Sequence, residues 1–503
     1  MDFRFPSILA VCSFIIFLYM VVKLVLRARY PSTKVPPGPG KLPIIGNIHQ
    51  IKGLPHRSLS DLAKKYGPIM RLQLGEFQTT VLTSSELAKE ALTTYDTIFA
   101  NRPKTVANKI LSYNYIDVGF SPYGPYWRQL RRICKLELLS PSRVKTFQSI
   151  REEHVKNLIK EIGSSQGSPV NLSKKLYSMT HDIALTAAFG RECKDKDAYL
   201  SIVYNIVKQV SGFFFVNLFP SIEMPFELVT GLRAKVEKLH QEKDKLVQKI
   251  LDEHKERMTR AQGEGKPQEF EDLIDVLLKL GEEGDLEFPI TDDTIKAILW
   301  DIVTAGGETS AATMEWAISE MVRNPEVLQQ AQEEVRRVYG DNGSVDETMV
   351  HELEYLKSVV KETLRLHPAS PILVPRESSE ACEIKGYEIP AKSRIIVNAW
   401  AIGRDPSLWT EAEKFNPERF LNSSIDYKGT NFEYIPFGAG RRMCPGLYFA
   451  QANIELTLAN LLYHFEWNLP DGQSKEDLDM SESSGLAMTR KENLVLVPVP
   501  YQL

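Results

Sequence analysis

Ten residues near the C-terminus, Phe437-Gly-Ala-Gly-Arg-Arg-Met-Cys-Pro-Gly, leave the chain little conformational choice. Three glycines and a proline are costly inside a helix or strand, so this segment is a tight loop. Gly438, Gly440 and Gly446 allow backbone N–H groups to point at the Cys444 sulfur. Pro445 leads into a helix pattern from Gly446 to Leu461, whose dipole favours a negative sulfur at its start. A lone buried cysteine is more often an inert core residue. A loop of this composition points instead to a thiolate that serves as a metal ligand.

A second unusual run lies upstream. Residues 291–323 have the pattern of a long helix beginning at Thr291-Asp-Asp and stopping at Asn324-Pro325. Inside it sits Ala305-Gly-Gly-Glu-Thr-Ser. Each glycine weakens a helix interior by about 1 kcal/mol relative to alanine, so the pair needs a reason. One reading is space for a small ligand beside Gly306, with the backbone widened to free a carbonyl. Thr309 then supplies a hydroxyl and Glu308 relays protons. The other reading is close helix–helix contact with a solvated Glu308. Ile302, Ala305 and Thr309 share one helical stripe, as pocket-lining residues should.

Further helical patterns cover about 125–139, 144–163, 231–260, 325–338 and 351–367. Alternating stretches at Ile69–Leu74, Thr79–Thr83, Ile384–Ile389 and Arg394–Asn398 read as strands. The fold class is mainly α with a minor β component. With no repeat and no long low-complexity break, residues 54–503 read as one large domain. Glu362 and Arg365 are placed to pair across one helix turn. Arg128, Arg132 and Lys135 form a basic face beside Trp127 and Arg131.

At the other end, Ile8 to Val22 is apolar but for Ser13, and Leu24–Leu26 continue it past Lys23. About 19 such residues span roughly 28 Å, the thickness of a bilayer core. Arg27, Arg29 and Lys34 follow the run, whereas only Asp2 and Arg4 precede it, a bias that places the bulk of the chain on the cytosolic side. Residues 1–30 therefore read as a single-pass anchor. Residues 31–53, basic and rich in proline, read as a stiff hinge. The net charge of -4 argues against nucleic acid as a partner. Five widely spaced cysteines without a CxxC pair argue against a disulfide framework.

At Phe437, Gly440, Arg442, Cys444 and Gly446, the loop resembles the cysteine-ligand signature of the cytochrome P-450 superfamily. Ala305–Ser310 is similar to that superfamily's oxygen-activation motif. The wording of Lys361-Glu-Thr-Leu-Arg-Leu-His-Pro resembles plant microsomal members of specialised metabolism, and that of Thr94-Tyr-Asp-Thr-Ile-Phe-Ala-Asn-Arg-Pro and Asp479-Met-Ser-Glu-Ser-Ser-Gly is similar to members that oxidise sesquiterpenes and diterpenes. The resemblance implies a cytochrome P-450 fold behind an N-terminal anchor, with haem b held through Cys444. Arg442, Trp127, Arg131, Arg376 and Phe437 would contact the cofactor. Glu362, Arg365 and Arg419 would form a buried scaffold network. Ile302, Ala305, Ile372, Leu373, Leu486 and Ala487 would line an apolar pocket.

It also implies an endoplasmic-reticulum monooxygenase whose electrons come from NADPH through a cytochrome P-450 reductase, with cytochrome b5 as a further donor. The implied substrate is a lipophilic small molecule, and membrane lipid is a further partner. Two other readings remain at this point: a haem-thiolate isomerase or dehydratase working without dioxygen, and a non-catalytic haem or lipid binder.

Overall fold

The structure, a computed structural model, describes residues 34–501 apart from 166, 192–193, 211–216, 265–270, 341–344 and 486. The anchor read at 1–30, Leu486 and the phenylalanines at 213–215 lie outside the described residues. Among the described residues, no helix is long and apolar enough to cross a membrane.

The longer helices are α1 (Pro55–Tyr66), α2 (Pro125–Ile133), α3 (Gln148–Gly163), α4 (Leu172–Phe189), α5 (Lys196–Val210), α6 (Leu232–Glu264) and α7 (Leu273–Glu283). They continue with α8 (Asp292–Arg323), α9 (Pro325–Tyr339), α10 (Glu354–Leu366) and α11 (Leu447–His464). The strands are β1 (Ile69–Leu74), β2 (Phe77–Leu82), β3 (Val170–Asn171), β4 (Arg376–Glu377), β5 (Cys382–Ile384) and β6 (Tyr387–Ile389). After these come β7 (Arg394–Val397), β8 (Phe465–Asn468), β9 (Glu482–Ser484), β10 (Met488–Arg490) and β11 (Val495–Pro500). The main sheet has the order β1-β2-β7-β4, with β2 and β7 parallel and the other pairs antiparallel.

Helix α8 runs through the centre. Thr291 caps it by accepting from the Thr294 N–H, and Asp292 and Asp293 occupy its positive end. It stops at Asn324 because Pro325 opens α9. Most of its side chains are buried against α4 and α11. From Met179 to Phe189, α4 is buried nearly all round. A helix buried on nearly all sides lacks the periodicity that betrays a surface helix, so sequence reading passes over it.

Two local differences matter. The helix expected over 125–139 is α only to Ile133, and Cys134–Leu138 winds into a wider π turn. The strand expected over 384–389 is a hairpin, with Ile384 paired to Tyr387 across Lys385-Gly386. The proline-rich stretch lies along the edge of β1: Arg71 donates its N–H to the Pro37 carbonyl at 2.8 Å, and Asn47 to the Gln73 carbonyl at 2.6 Å. A side chain at Gly38 would meet the Arg71 carbonyl at 2.1 Å, so only glycine fits there.

Candidate functional site

Cys444 sits two residues before Gly446, the N-cap of α11. Its N–H donates to the Phe437 carbonyl at 2.9 Å, closing the loop upon itself. Gly438 and Gly440 both adopt left-handed backbone, with φ of 70°. At Gly440 a Cβ would lie 2.4 Å from the Leu92 carbonyl oxygen, so the loop is pressed against its neighbours. The Phe437 ring packs on Tyr427 with centroids 5.3 Å apart. The sulfur is surrounded by protein, yet its side chain is accessible. It therefore faces an interior cleft. Burial pushes its thiol above the ordinary value, while the Gly446 N–H and Arg131 pull it down. Those two groups favour the thiolate form.

Around the loop lies a cluster of guanidinium groups. Arg442 donates to the carbonyls of Ala100 (2.8 Å), Val118 (3.1 Å) and Ser121, and lies 4.2 Å over the Trp127 ring. Arg131 donates to the Met443 carbonyl at 2.5 Å. Arg102, which sequence reasoning left without a role, donates to Gly119, Val374 and Pro375 carbonyls. None of the three has an ion-pair partner among the described residues. Burial and then the nearby charge of Arg376 lower Arg102 far below its usual range and bring Arg442 to about 9, with Arg131 adding to both. Asp117 and Asp301 lend their fields, but burial raises both, and Asp301 raises Asp117 further. This is surplus positive charge in the interior, and a group bearing carboxylates would neutralise it.

Two further residues read as cofactor contacts also bond to protein groups. Arg376 pairs with Asp96 at 2.9 Å and donates to the Ala439 carbonyl at 2.8 Å, so it braces the cysteine loop. Trp127 donates its indole N–H to Val118 at 3.0 Å and supports Arg442 by stacking.

The distal side is α8. Ala305 is exposed and Thr309 half-buried within an otherwise buried helix, so they too face interior space. The Val118 peptide links the two sides. Its N–H donates to Asp301 at 2.9 Å, and its carbonyl accepts from Arg442 and Trp127. The reading that the glycine pair makes room for a ligand is corrected here. The open face of Gly306 looks at Phe449 (3.7 Å) and Ala184 (3.9 Å). A Cβ on Gly307 would strike His181 at 2.5 Å. The glycines let α4 and α11 approach α8, which stays α-helical throughout with no widened turn. The Thr309 hydroxyl donates to the Ala305 carbonyl at 2.7 Å. Burial raises Glu308 above the usual carboxyl range, against one N–H donated by Ala487 at 3.3 Å.

The residues read as pocket walls divide. Leu373, in left-handed backbone at φ 51°, reaches to 3.8 Å from a Cβ built on Gly438. Ala487 touches Glu308. Ile302 is nine-tenths buried in the main core. Ile372 packs with Leu218 and Phe219 beside the β1–β2 ladder. Leu218 and Phe219 are themselves buried.

Behind the loop, Arg365 grips Glu362 with two hydrogen bonds of 2.7 Å, and Arg419 adds a third at 3.0 Å. Glu362 and Arg365 are fully buried, and Arg365 also donates to the carbonyls of Gly403, Ala412 and Lys414. The basic face of Arg128, Arg132 and Lys135 is exposed.

The family model described as Cytochrome P450 matches residues 36–497. Desmethyl-deoxy-podophyllotoxin synthase of Sinopodophyllum hexandrum is 50% identical over 486 residues, 96% of this chain and 95% of that one. Premnaspirodiene oxygenase of Hyoscyamus muticus is 47% identical over 500 residues, 99% of each chain. A solved zebra fish cytochrome P450 with abiraterone superposes with a TM-score of 0.76 at 26% identity, over 90% of this chain and 100% of that one.

The chain belongs to the cytochrome P450 family, whose members are haem-thiolate monooxygenases with a cysteine-ligated haem. It stands among plant relatives that act in specialised metabolism.

Proposed function

We propose that this protein is a membrane-anchored monooxygenase that hydroxylates a lipophilic terpenoid, of sesquiterpene or diterpene size. The observation that carries the reading is the accessible Cys444 sulfur at the start of α11, flanked by the unpaired Arg102, Arg131 and Arg442 and facing the cleft that Ala305 and Thr309 line. These residues fit haem b: the thiolate for the iron, the guanidinium groups for its carboxylates. When bound, the haem supplies activation of dioxygen and transfer of one oxygen atom to a C–H bond.

The chain's own residues do the rest. The Gly446 N–H and the α11 dipole favour the negative form of the Cys444 sulfur against the cost of its burial. Thr309 offers a hydroxyl that can turn from the Ala305 carbonyl toward the cleft. Glu308, raised by burial, keeps a proton at a pH where an exposed carboxyl has lost it, and so serves as the local acid. Apolar walls at Ala305, Leu373 and Ala487 favour a substrate without charge. The oxygenation of premnaspirodiene by a relative of nearly full coverage supports a terpenoid.

The proposal includes the endoplasmic-reticulum membrane, an NADPH-fed reductase docking on Arg128, Arg132 and Lys135, and cytochrome b5 as a second donor. Exposed Leu42, Ile44 and Ile45, with Ile222, Met224 and Val229, support a membrane-facing side. They flank one turn: Gly75 donates to the Ile45 carbonyl at 3.5 Å and Glu76 to the Leu218 carbonyl at 2.8 Å. The test is incubation of reductase-supplied microsomes with a panel of sesquiterpenes, diterpenes and lignans, read by mass spectrometry. An NADPH-dependent terpene product gaining one oxygen atom is the expected result. Turnover confined to lignans would overturn the substrate class, and product without NADPH would overturn the reaction.

A further inference from the structure

The tip of the β9–β10 hairpin touches the acid of α8. Ala487 donates its N–H to Glu308 Oε1 at 3.3 Å, and among the described residues no cation pairs with this carboxyl. Tyr177 of α4 also faces it. Burial, followed by the charge of Glu308, raises that phenol to about 12, so it stays neutral at working pH. His181 stacks on Tyr177 at 4.0 Å and closes against Gly307. Burial lowers the His181 imidazole, which keeps it uncharged as well.

Gly485 and Ala487 both lie beside the carboxyl. The Gly485 N–H donates to the Ala487 carbonyl at 3.2 Å. A Cβ on Gly485 would lie 3.4 Å from Glu308 Oε1. The base of the hairpin is fixed independently. Met488 donates to the Ala369 carbonyl at 2.9 Å, and the Trp316 indole donates to the Met488 carbonyl at 3.0 Å. Ala369 opens the segment that carries Ile372 and Leu373. The acid and two wall segments are thus joined by one short chain of hydrogen bonds.

We propose that the Ala487 N–H is a positioning group for Glu308, through which the seating of this hairpin sets the orientation of the acid beside Thr309. The inference deepens the monooxygenase reading and rests on it. A substrate that leaves the hairpin seated keeps the carboxyl pointed in one direction. A substrate that lifts Ala487 removes the donor and frees the carboxyl to rotate. Substrate fit is then read out as coupling, the share of NADPH that ends in product, and not only as affinity.

Two changes test this. Ala487→Pro deletes the donor. Gly485→Ala sets a methyl group 3.4 Å from Oε1, at the close edge of ordinary contact, where it crowds out rotation of the carboxyl toward the turn; Gly485 is not in left-handed backbone, so the alanine is not strained. Each is made alone and combined with Glu308→Gln, in full-length holoprotein with reductase, NADPH and an accepted substrate. The carbon monoxide spectrum monitors folding. Glu308→Gln alone should uncouple the enzyme. Each hairpin change alone should lower product per NADPH about fivefold, equivalent to about 1 kcal/mol, and should lower it no further when Glu308→Gln is present.

A readout independent of turnover is amide hydrogen exchange. Ala487 should exchange about fivefold faster in Glu308→Ala, with Met488 unchanged. Additive losses in the double variants, or altered KM with unaltered coupling, would overturn the hairpin's role and leave that of Glu308 standing. Unaltered coupling in Glu308→Gln itself would overturn both. Should Ala487→Pro fail to fold, Gly485→Ala in the two backgrounds decides the question alone.

Discussion

The two faces of the cleft are built by opposite rules. On the cysteine side nearly every group is held several times over. Asp96 accepts from the Arg441 N–H and from Arg376, Arg376 also grips the Ala439 carbonyl, and Phe437 closes the loop on Cys444. On the α8 side the two chemical residues are held by one hydrogen bond each, Thr309 to Ala305 and Glu308 from Ala487. A ligand that binds once and stays rewards rigidity. Groups that must move a proton during each turnover need freedom to turn, and sparse bonding supplies it.

The comparison breaks most easily at the sulfur. Cys444→Ser should lower turnover by at least about a thousandfold and reduce haem retention, because no other described side chain replaces the thiolate. Absorbance per protein and product assays check it. Unchanged turnover would mean that the redundancy around the loop serves something else.

Next in size is the buried triad. Glu362→Ala strands Arg365 and Arg419 in the interior, and the expected loss is about 3–5 kcal/mol, seen as a lower thermal midpoint and early haem release. A loss below about 1 kcal/mol would show that the carbonyls around Arg365 suffice.

A third prediction concerns a weak point on the well-held side. Glu455 in α11 is buried with Gln451 as its hydrogen-bond donor at 2.9 Å, and burial lifts it to about 7. A carboxyl raised in the folded state favours folding below its unfolded value, near 4.5, and that contribution is lost as pH rises through about 7. The wild type should therefore lose about 3 kcal/mol more than Glu455→Gln across this window, read from thermal midpoints at pH 4.5 and 7.5. Parallel curves would contradict it.

The smallest effect is on the sparse side. Thr309→Ala should leave folding intact and lower product per NADPH about tenfold, near 1.4 kcal/mol. A fall in stability without uncoupling would show that the hydroxyl only caps its own helix turn.

Much of this was legible in the sequence. The loop at 437–446, the ends of α8 and three of the four strands of the main sheet, β1, β2 and β7, follow from turn residues, caps and alternation. What escaped was set by neighbours distant in the chain. The Gly306–Gly307 pair announces that something comes close, but only the folded arrangement shows that His181 and Phe449 do so. Arg102 lies in a stretch where burial of a charge cannot be read from its surroundings in sequence, and the proline-rich stretch docks on β1 through backbone groups that carry no pattern. α4 escaped because a helix buried on nearly all sides has no stripe.

The central claim is an iron–sulfur bond to Cys444. X-ray absorption at the iron edge of the purified holoprotein tests it directly. The account predicts one protein sulfur in the first coordination shell, absent in Cys444→Ser. A shell of nitrogen and oxygen alone in the wild-type protein would contradict it.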